Sequence, residues 1–265
     1  MTGKQDTRLQ ALPMDVQSYA SQVVQVLHSY LQEGLLGVYL VGSAALGGFV
    51  PGRSDLDIQG VCARHLRQEE KEQLAALLAH PALPCPTRGC ELVIYQKDAI
   101  AASTSTVGFE LNLNSGPQMP LHVTYDAKDE SPHWFFFDRA IAREHGIALF
   151  GPPPQNLFGV IPRAWLIEAV LISLRWYTDY DETGYASVLN ACRGWCFVEE
   201  NQVRSKKDAV AWATTRVDEG GLLRQALALH AGTTDEKLDA ARVRRLLDMI
   251  QRRVEQVWQE EVWKK

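Results

Sequence analysis

Val38-Tyr39-Leu40-Val41-Gly42-Ser43, followed after the eleven residues Ala44 to Ser54 by Asp55-Leu56-Asp57-Ile58, is the stretch that decides the fold. An apolar run ends in Gly-Ser, a glycine-rich connector follows, and a second apolar run carries two aspartates one residue apart. Residues i and i+2 of a strand share a face, so Asp55 and Asp57 are expected to project side by side. Adjacent carboxylates repel unless a positive group sits between them. A hard divalent cation with oxygen ligands, Mg²⁺ above all, suits that need. Glycine at 42 lets the backbone approach a phosphate, and a helix start just after it presents free N–H donors. A phosphate cradle beside metal-binding carboxylates points to phosphoryl or nucleotidyl transfer.

Upstream, Asp15 is placed to cap a helix running to about Glu33, with Val16, Tyr19, Val23, Val26, Leu27 and Tyr30 near helical spacing and Gly34 as its stop. Val38–Val41 reads as a strand, Ala44–Leu46 as a helical turn, and Leu56–Val61 as a second strand antiparallel to the first. Further on, Glu69–Ala79 is predicted helical. Glu91–Tyr95, Phe109–Asn114 and Leu121–Tyr125 follow as strands, Phe135–His145 as a helix and Ile147–Phe150 as a short strand. Pro152-Pro153-Pro154 marks the expected division, into 1–156 and 157–265. Beyond it only helices are predicted, near Arg163–Asp179, Tyr185–Asn201, Lys206–Val217, Leu222–Ala231 and Glu236–Trp263. The fold class is therefore α+β: a mixed sheet flanked by helices, then an all-α bundle.

Composition narrows the function classes. An apolar fraction of 46% in 265 residues supports a sizeable core and excludes intrinsic disorder. A net charge of −5 argues against binding duplex DNA through a broad basic surface, and no nucleic-acid partner is expected. The mildly acidic balance favours a cationic small substrate. Cys62, Cys85, Cys90, Cys192 and Cys196 lack the partners of a zinc site and read as free buried thiols. No apolar run approaches the roughly 20 residues needed to span a bilayer, and the polar start from Met1 to Arg8 does not resemble a secretory signal. A cytoplasmic monomer without membrane contact is the expectation.

Gly-Ser, eleven residues, then Asp-hydrophobic-Asp-hydrophobic resembles the signature of the nucleotidyltransferase superfamily that includes DNA polymerase beta. The longer stretch Leu40-Val41-Gly42-Ser43-Ala44-Ala45-Leu46-Gly47-Gly48-Phe49, closing in Arg53-Ser54-Asp55-Leu56-Asp57, resembles the aminoglycoside nucleotidyltransferases, specifically the streptomycin/spectinomycin adenylyltransferase group. Cys90-Glu91-Leu92-Val93-Ile94, Phe109-Glu110-Leu111-Asn112 and the run from Ala142 to Pro152 continue the likeness. So do Val188 to Arg193 and Ser205 to Ala213, and it covers about Leu35 to Ala213. It implies a nucleotidyltransferase domain over 1–156 and a helical substrate- and nucleotide-binding domain over 157–265. The implied reaction moves AMP from ATP to a hydroxyl of an aminoglycoside or aminocyclitol antibiotic, with two Mg²⁺ ions and pyrophosphate as the leaving group.

In that family the two aspartates hold the metal, and Asp55 and Asp57 occupy their positions. Glu91 matches the general base and completes the metal set with Asp55 and Asp57. Gly42 and Ser43 match the grip on the terminal phosphates. Arg193 and Lys206 match an arginine and a lysine that contact the nucleotide phosphates, which would put the ATP site between the domains. Members that take streptomycin carry a tryptophan shortly after a Glu-Leu-Gln type motif; here that neighbourhood reads Asn114-Ser115-Gly116-Pro117. Spectinomycin alone, or another hydroxylated acceptor, is therefore open. Ammonium groups of an acceptor call for carboxylates. Asp179 is the first expected substrate-binding residue and Glu182 the second, with helix-end solvation the plain alternative. Trp176 and Tyr177 fit either an apolar wall or a helical core position. Two other functions stay in view, transfer to a protein or RNA acceptor and a catalytically silent nucleotide sensor.

Overall fold

A computed structural model of the chain describes residues 6–101, 107–180, 184–217 and 219–263. The chain divides into two compact units, Met1–Ile161 and Pro162–Lys265. The division falls later than the expected one after residue 156, for a packing reason. Phe158 is buried, with its ring edge-on to Tyr39 and Tyr95 at 5.4 and 6.4 Å, and Gly159 N–H donates to Ile100 O at 2.8 Å. The segment after the prolines thus completes the core of the first unit.

The first unit runs α1 (Thr7–Gln10), α2 (Met14–Leu31), β1 (Leu35–Leu40), α3 (Gly42–Ala45), β2 (Leu56–Cys62), α4 (Gln68–Leu78), β3 (Cys90–Gln96), α5 (Lys97–Ala101), β4 (Phe109–Gly116), β5 (Met119–Thr124), α6 (His133–His145) and β6 (Ile147–Phe150). The six strands form one sheet in the order β5-β4-β3-β2-β1-β6. Only β2 and β3 run parallel; β1 pairs with β2 and β6, and β4 with β3 and β5, in antiparallel fashion. The sheet is mixed and helix-flanked, as the sequence implies. One face carries Val38, Leu40, Leu56, Ile58, Leu92, Ile94, Leu111 and Leu113 and packs on Val16, Tyr19, Val23 and Leu27 of α2 and Leu74 and Leu78 of α4. Each apolar side chain so buried contributes roughly 1.5–3 kcal/mol, and this layer is what holds the opposite, polar face in register.

Several boundaries differ from the sequence expectations. Helix α2 begins after Pro13, which serves as its N-cap without a side-chain bond; Asp15 lies inside the first turn, where Oδ1 accepts from Val16 N–H at 2.8 Å. Proline pre-sets the entry dihedral, so no carboxylate cap is needed. The helix ends at Leu31 because Gln32 turns left-handed (φ 49°), and a 3₁₀ turn carries the chain to Gly34. Strand β1 starts at Leu35, paired with Cys62 across a bulge. Cys90, not Glu91, opens β3, because Cys90 pairs with Leu56. The short helices α1 and α5 have too few residues for a periodic signal to emerge from sequence.

The second unit is all helix: α7 (Arg163–Tyr180), α8 (Tyr185–Glu200), α9 (Lys206–Thr214), α10 (Gly220–Ala231) and α11 (Ala240–Trp263). Helix α11 starts later than Glu236 and α9 stops before Val217. Val188, Leu189, Cys192 and Cys196 of α8 are buried with Ile167 and Val170 of α7, Leu222 and Leu223 of α10, and Val243, Ile250 and Val254 of α11. A Cβ on Gly194 would lie 2.6 Å from Val170 Cγ1, so glycine there sets the α7–α8 approach. All five cysteines are free and buried. Burial pushes the Cys62 and Cys192 thiols up to about 12, with a smaller effect of neighbouring charge. These thiols are packing groups. Among the described residues no helix is long and apolar enough to cross a membrane.

Candidate active site

Strand register assembles the site. Across the polar face, Asp57 is the direct partner of Glu91, Glu91 of Asn114, and Asn114 of His122. One row of polar side chains therefore crosses β2, β3, β4 and β5, with neighbours about 5 Å apart. The next row reads Gln59, Val93, Asn112 and Thr124. Leu56, Ile58, Leu92 and Leu113 alternate with these residues and point into the core. Asp55, Asp57 and Glu91 are all half-buried, a setting in which carboxylates remain reachable yet interact more strongly than in open water.

The turn between β1 and α3 fits closely over Asp57. Val41 N–H donates to Asp57 O at 2.9 Å, and Gly42 takes φ +56°. A Cβ on Gly42 would lie only 1.7 Å from Asp57 Oδ2. Glycine is required here twice over, by the left-handed backbone and by the carboxylate pressed against it. We expect Gly42→Ala to lower stability by about 1–3 kcal/mol in chemical denaturation and to displace the Asp57 carboxylate. A variant as stable and as active as the parent would show that the close approach is dispensable. Ser43 is the second residue of α3, and its Oγ is buried without a hydrogen-bond partner among the described residues. Buried hydroxyls are ordinarily satisfied, so an orphaned one beside a backbone turn is suited to an incoming oxygen.

The connector returns the chain to β2 through turns that only glycine enters easily, with φ +70° at Gly47 and +73° at Gly52. Ser54 locks its end: Oγ accepts from Val50 N–H at 3.0 Å and its own N–H donates to Val50 O at 2.9 Å. Asp55 follows and lies one residue before β2, not within it, because pairing with β3 begins at Leu56.

The expected ligands Asp55, Asp57 and Glu91 are all oxygen donors, which suits a hard cation. Among the described residues no three His, Cys, Asp or Glu side chains are gathered into a group that could hold a metal by itself. Mg²⁺ usually takes only one or two carboxylates and completes its shell with water and substrate phosphate. These residues fit the ion.

In the second unit, Arg193 lies half-buried on α8, one turn beyond Asn190, whose Nδ2 donates to Tyr177 OH on α7 at 2.7 Å. Ser205 caps α9, its Oγ accepting from Asp208 N–H at 3.2 Å and donating to Asp208 Oδ2 at 2.6 Å. This cap settles which lysine of the pair is set into the fold: Lys206 is half-buried and Lys207 exposed. Asp179 is exposed in the last turn of α7. Trp176 and Tyr177 stack edge-on at 5.0 Å, with Trp176 38% exposed and so not a core residue. Glu182 lies outside the described residues.

Sequence reasoning missed the β4–β5 half of the polar face. Glu130, arriving after β5, sets Oε1 2.6 Å from His122 Nε2 and accepts there from Thr124 Oγ1 at 2.9 Å and Asn112 Nδ2 at 3.2 Å. Burial opposes its ionisation, but these bonds outweigh it and hold the carboxyl below its usual range. Asn114 Oδ1 is buried with no partner among the described residues. The available signal was the Asn112-x-Asn114 alternation, which puts two amides on one strand face. Nearby, a Cβ on Gly116 would lie 2.2 Å from Gly89 Cα, so β4 closes on the β3 entry where no side chain fits.

The family model described as aminoglycoside adenylyltransferase, C-terminal domain, matches residues 156–253. An aminoglycoside (3'') (9) adenylyltransferase of Shigella flexneri is 30% identical over 219 residues, spanning 78% of this chain and 82% of the relative. The enzyme of the same name from Escherichia coli is also 30% identical, with 78% and 81% covered. The crystal structure of spectinomycin adenyltransferase AAD(9) from Enterococcus faecialis, with ATP and spectinomycin, superposes with a TM-score of 0.70. It covers 90% of this chain and 98% of that one at 17% identity, a likeness of fold.

Proposed function

This chain belongs to the aminoglycoside adenylyltransferase family, a group of nucleotidyltransferases, and from that premise we propose that it moves AMP from ATP to a hydroxyl of an aminoglycoside or aminocyclitol antibiotic. The observation that carries the proposal is the in-register pair Asp57 and Glu91, with Gly42 packed on the Asp57 carboxylate. Asp55, Asp57 and Glu91 would hold Mg²⁺, two ions in our reading, which when bound neutralises the ATP phosphates and polarises the transferring phosphoryl group.

The chain's own residues supply the rest. Glu91 accepts the proton of the acceptor hydroxyl as its oxygen bonds to the α-phosphorus. The bond from that phosphorus to the bridging oxygen breaks, and pyrophosphate leaves. Ser43 Oγ and the backbone donors of the Gly42 turn hold the terminal phosphates. We assign Arg193 and Lys206 to the nucleotide phosphates, where cations stabilise the charge that develops as pyrophosphate departs. Asp179 and Glu182 are our candidates for acceptor ammonium groups. Free, buried cysteines suit a reducing compartment, and we take the enzyme to act in the cytoplasm as a monomer.

The test is mass spectrometry after incubating the protein with ATP, Mg²⁺ and a panel containing spectinomycin, streptomycin and other aminoglycosides. A mass gain of one AMP on at least one drug, with stoichiometric pyrophosphate, is expected. Labelled ATP that marks only protein or RNA in a lysate, with every drug unchanged, would overturn the acceptor class.

A further inference from the structure

The order of groups along the sheet opens one direction for the acceptor across the polar face. The Gly42-Ser43 turn and Asp57 lie on the β1–β2 side, Glu91 stands in the middle on β3, and the polar row continues through Asn114 on β4 to His122 on β5. With the nucleotide on the β1–β2 side, a molecule presenting its hydroxyl to Glu91 can extend along the row over β4 and β5. That part of the face is built as a polar site. Asn114 is half-buried and its side chain makes no hydrogen bond among the described residues, with Oδ1 fully buried. One position on in the row, His122 is about half exposed and meets Glu130, whose carboxylate is largely buried.

Glu130 is asymmetric. Its Oε1 gathers Asn112, His122 and Thr124 within 3.2 Å, while Oε2 takes no hydrogen bond among the described residues. The three bonds fix the carboxylate over the face and leave one oxygen for an outside donor. A largely buried carboxylate with an uncommitted oxygen selects a cation carrying N–H donors, and charge-assisted bonds of this kind are the stronger sort. An amide one strand nearer the base selects a hydroxyl or amine at short distance from the reacting hydroxyl.

We propose that Asn114 and Glu130 form the acceptor subsite of this enzyme, Asn114 hydrogen-bonding a group next to the reacting hydroxyl and Glu130 pairing with an ammonium, with His122 as the residue that orients Glu130. The proposal rests on the adenylyltransferase reading above, and it adds contacts on the sheet to those assigned to Asp179 and Glu182. The ligand class is an aminated polyol whose ammonium lies roughly two strand spacings, about 10 Å, from the hydroxyl that reacts.

Glu130→Gln keeps an oxygen for Thr124 and Asn112, so the fold is retained while the charge is lost. Asn114→Ala removes a side chain that bonds nothing. Each should raise KM for the best acceptor of the panel at least about tenfold, with KM for ATP within about twofold of the parent; a merely structural defect would disturb both. Unchanged acceptor KM in both variants overturns the subsite. If the parent turns over no drug of the panel, the adenylyltransferase reading fails on its own, and the subsite is then judged by calorimetric binding of the diaminocyclitol 2-deoxystreptamine. Binding by the parent that is lost in Glu130→Gln supports the subsite. No binding, or equal binding by both, overturns it.

Discussion

Replacing Asp57 by asparagine is expected to lower kcat/KM for adenylyl transfer by at least about 10³, equivalent to the several kcal/mol that a bound metal supplies. The substitution is close to isosteric. It keeps the strand register with Glu91, the 2.9 Å bond from Val41 N–H to the residue 57 carbonyl, and the volume pressed against Gly42. What disappears is the negative charge, and with it the reason for a hard cation to bind at this turn. The measurement is pyrophosphate release over a range of Mg²⁺ concentrations, beside a thermal melt that should match the parent. Activity within tenfold of the parent, at the same Mg²⁺ dependence, would remove Asp57 from the metal site.

Glu91→Gln is expected to lose about 10²–10⁴ in kcat, the usual worth of a positioned general base. KM for ATP should change little if Glu91 acts on the acceptor hydroxyl. Turnover by the variant within tenfold of the parent would assign the base elsewhere. Both variants test one pairing, since Asp57 and Glu91 act together only because β2 and β3 run parallel in direct register.

The two experiments differ in what they depend on. Asp57 and its glycine lie on one continuous segment, and their spacing could be read residue by residue. Glu91 lies 34 positions beyond Asp57 by its number, and its placement needs β3 to dock on β2. The role proposed for Glu91 rests on resemblance alone, while the strand that carries Asp57 followed from periodicity. Element types were broadly readable for the same reason: apolar alternation and helical spacing are local signals. The ends were not. Pro13 in place of Asp15 at the start of α2, and Ala240 in place of Glu236 at the start of α11, reflect competition between cap residues that packing resolves. The domain division moved because Phe158 finds its rings, Tyr39 and Tyr95, far back in the chain.

By itself the sequence determined a strand, a glycine turn, a returning strand carrying Asp57, five free thiols and a helical second half. Each rests on neighbours within a few residues, where backbone sterics and side-chain alternation act directly. Only the tertiary structure decided that Gly42 covers the Asp57 carboxylate, that Glu91 stands beside it, that Lys206 and not Lys207 is set into the fold, and that Asn114, His122 and Glu130 share the polar face. Those facts depend on which strands pair and in what register. Register is chosen by the whole apolar face at once, so no short stretch of the chain contains it.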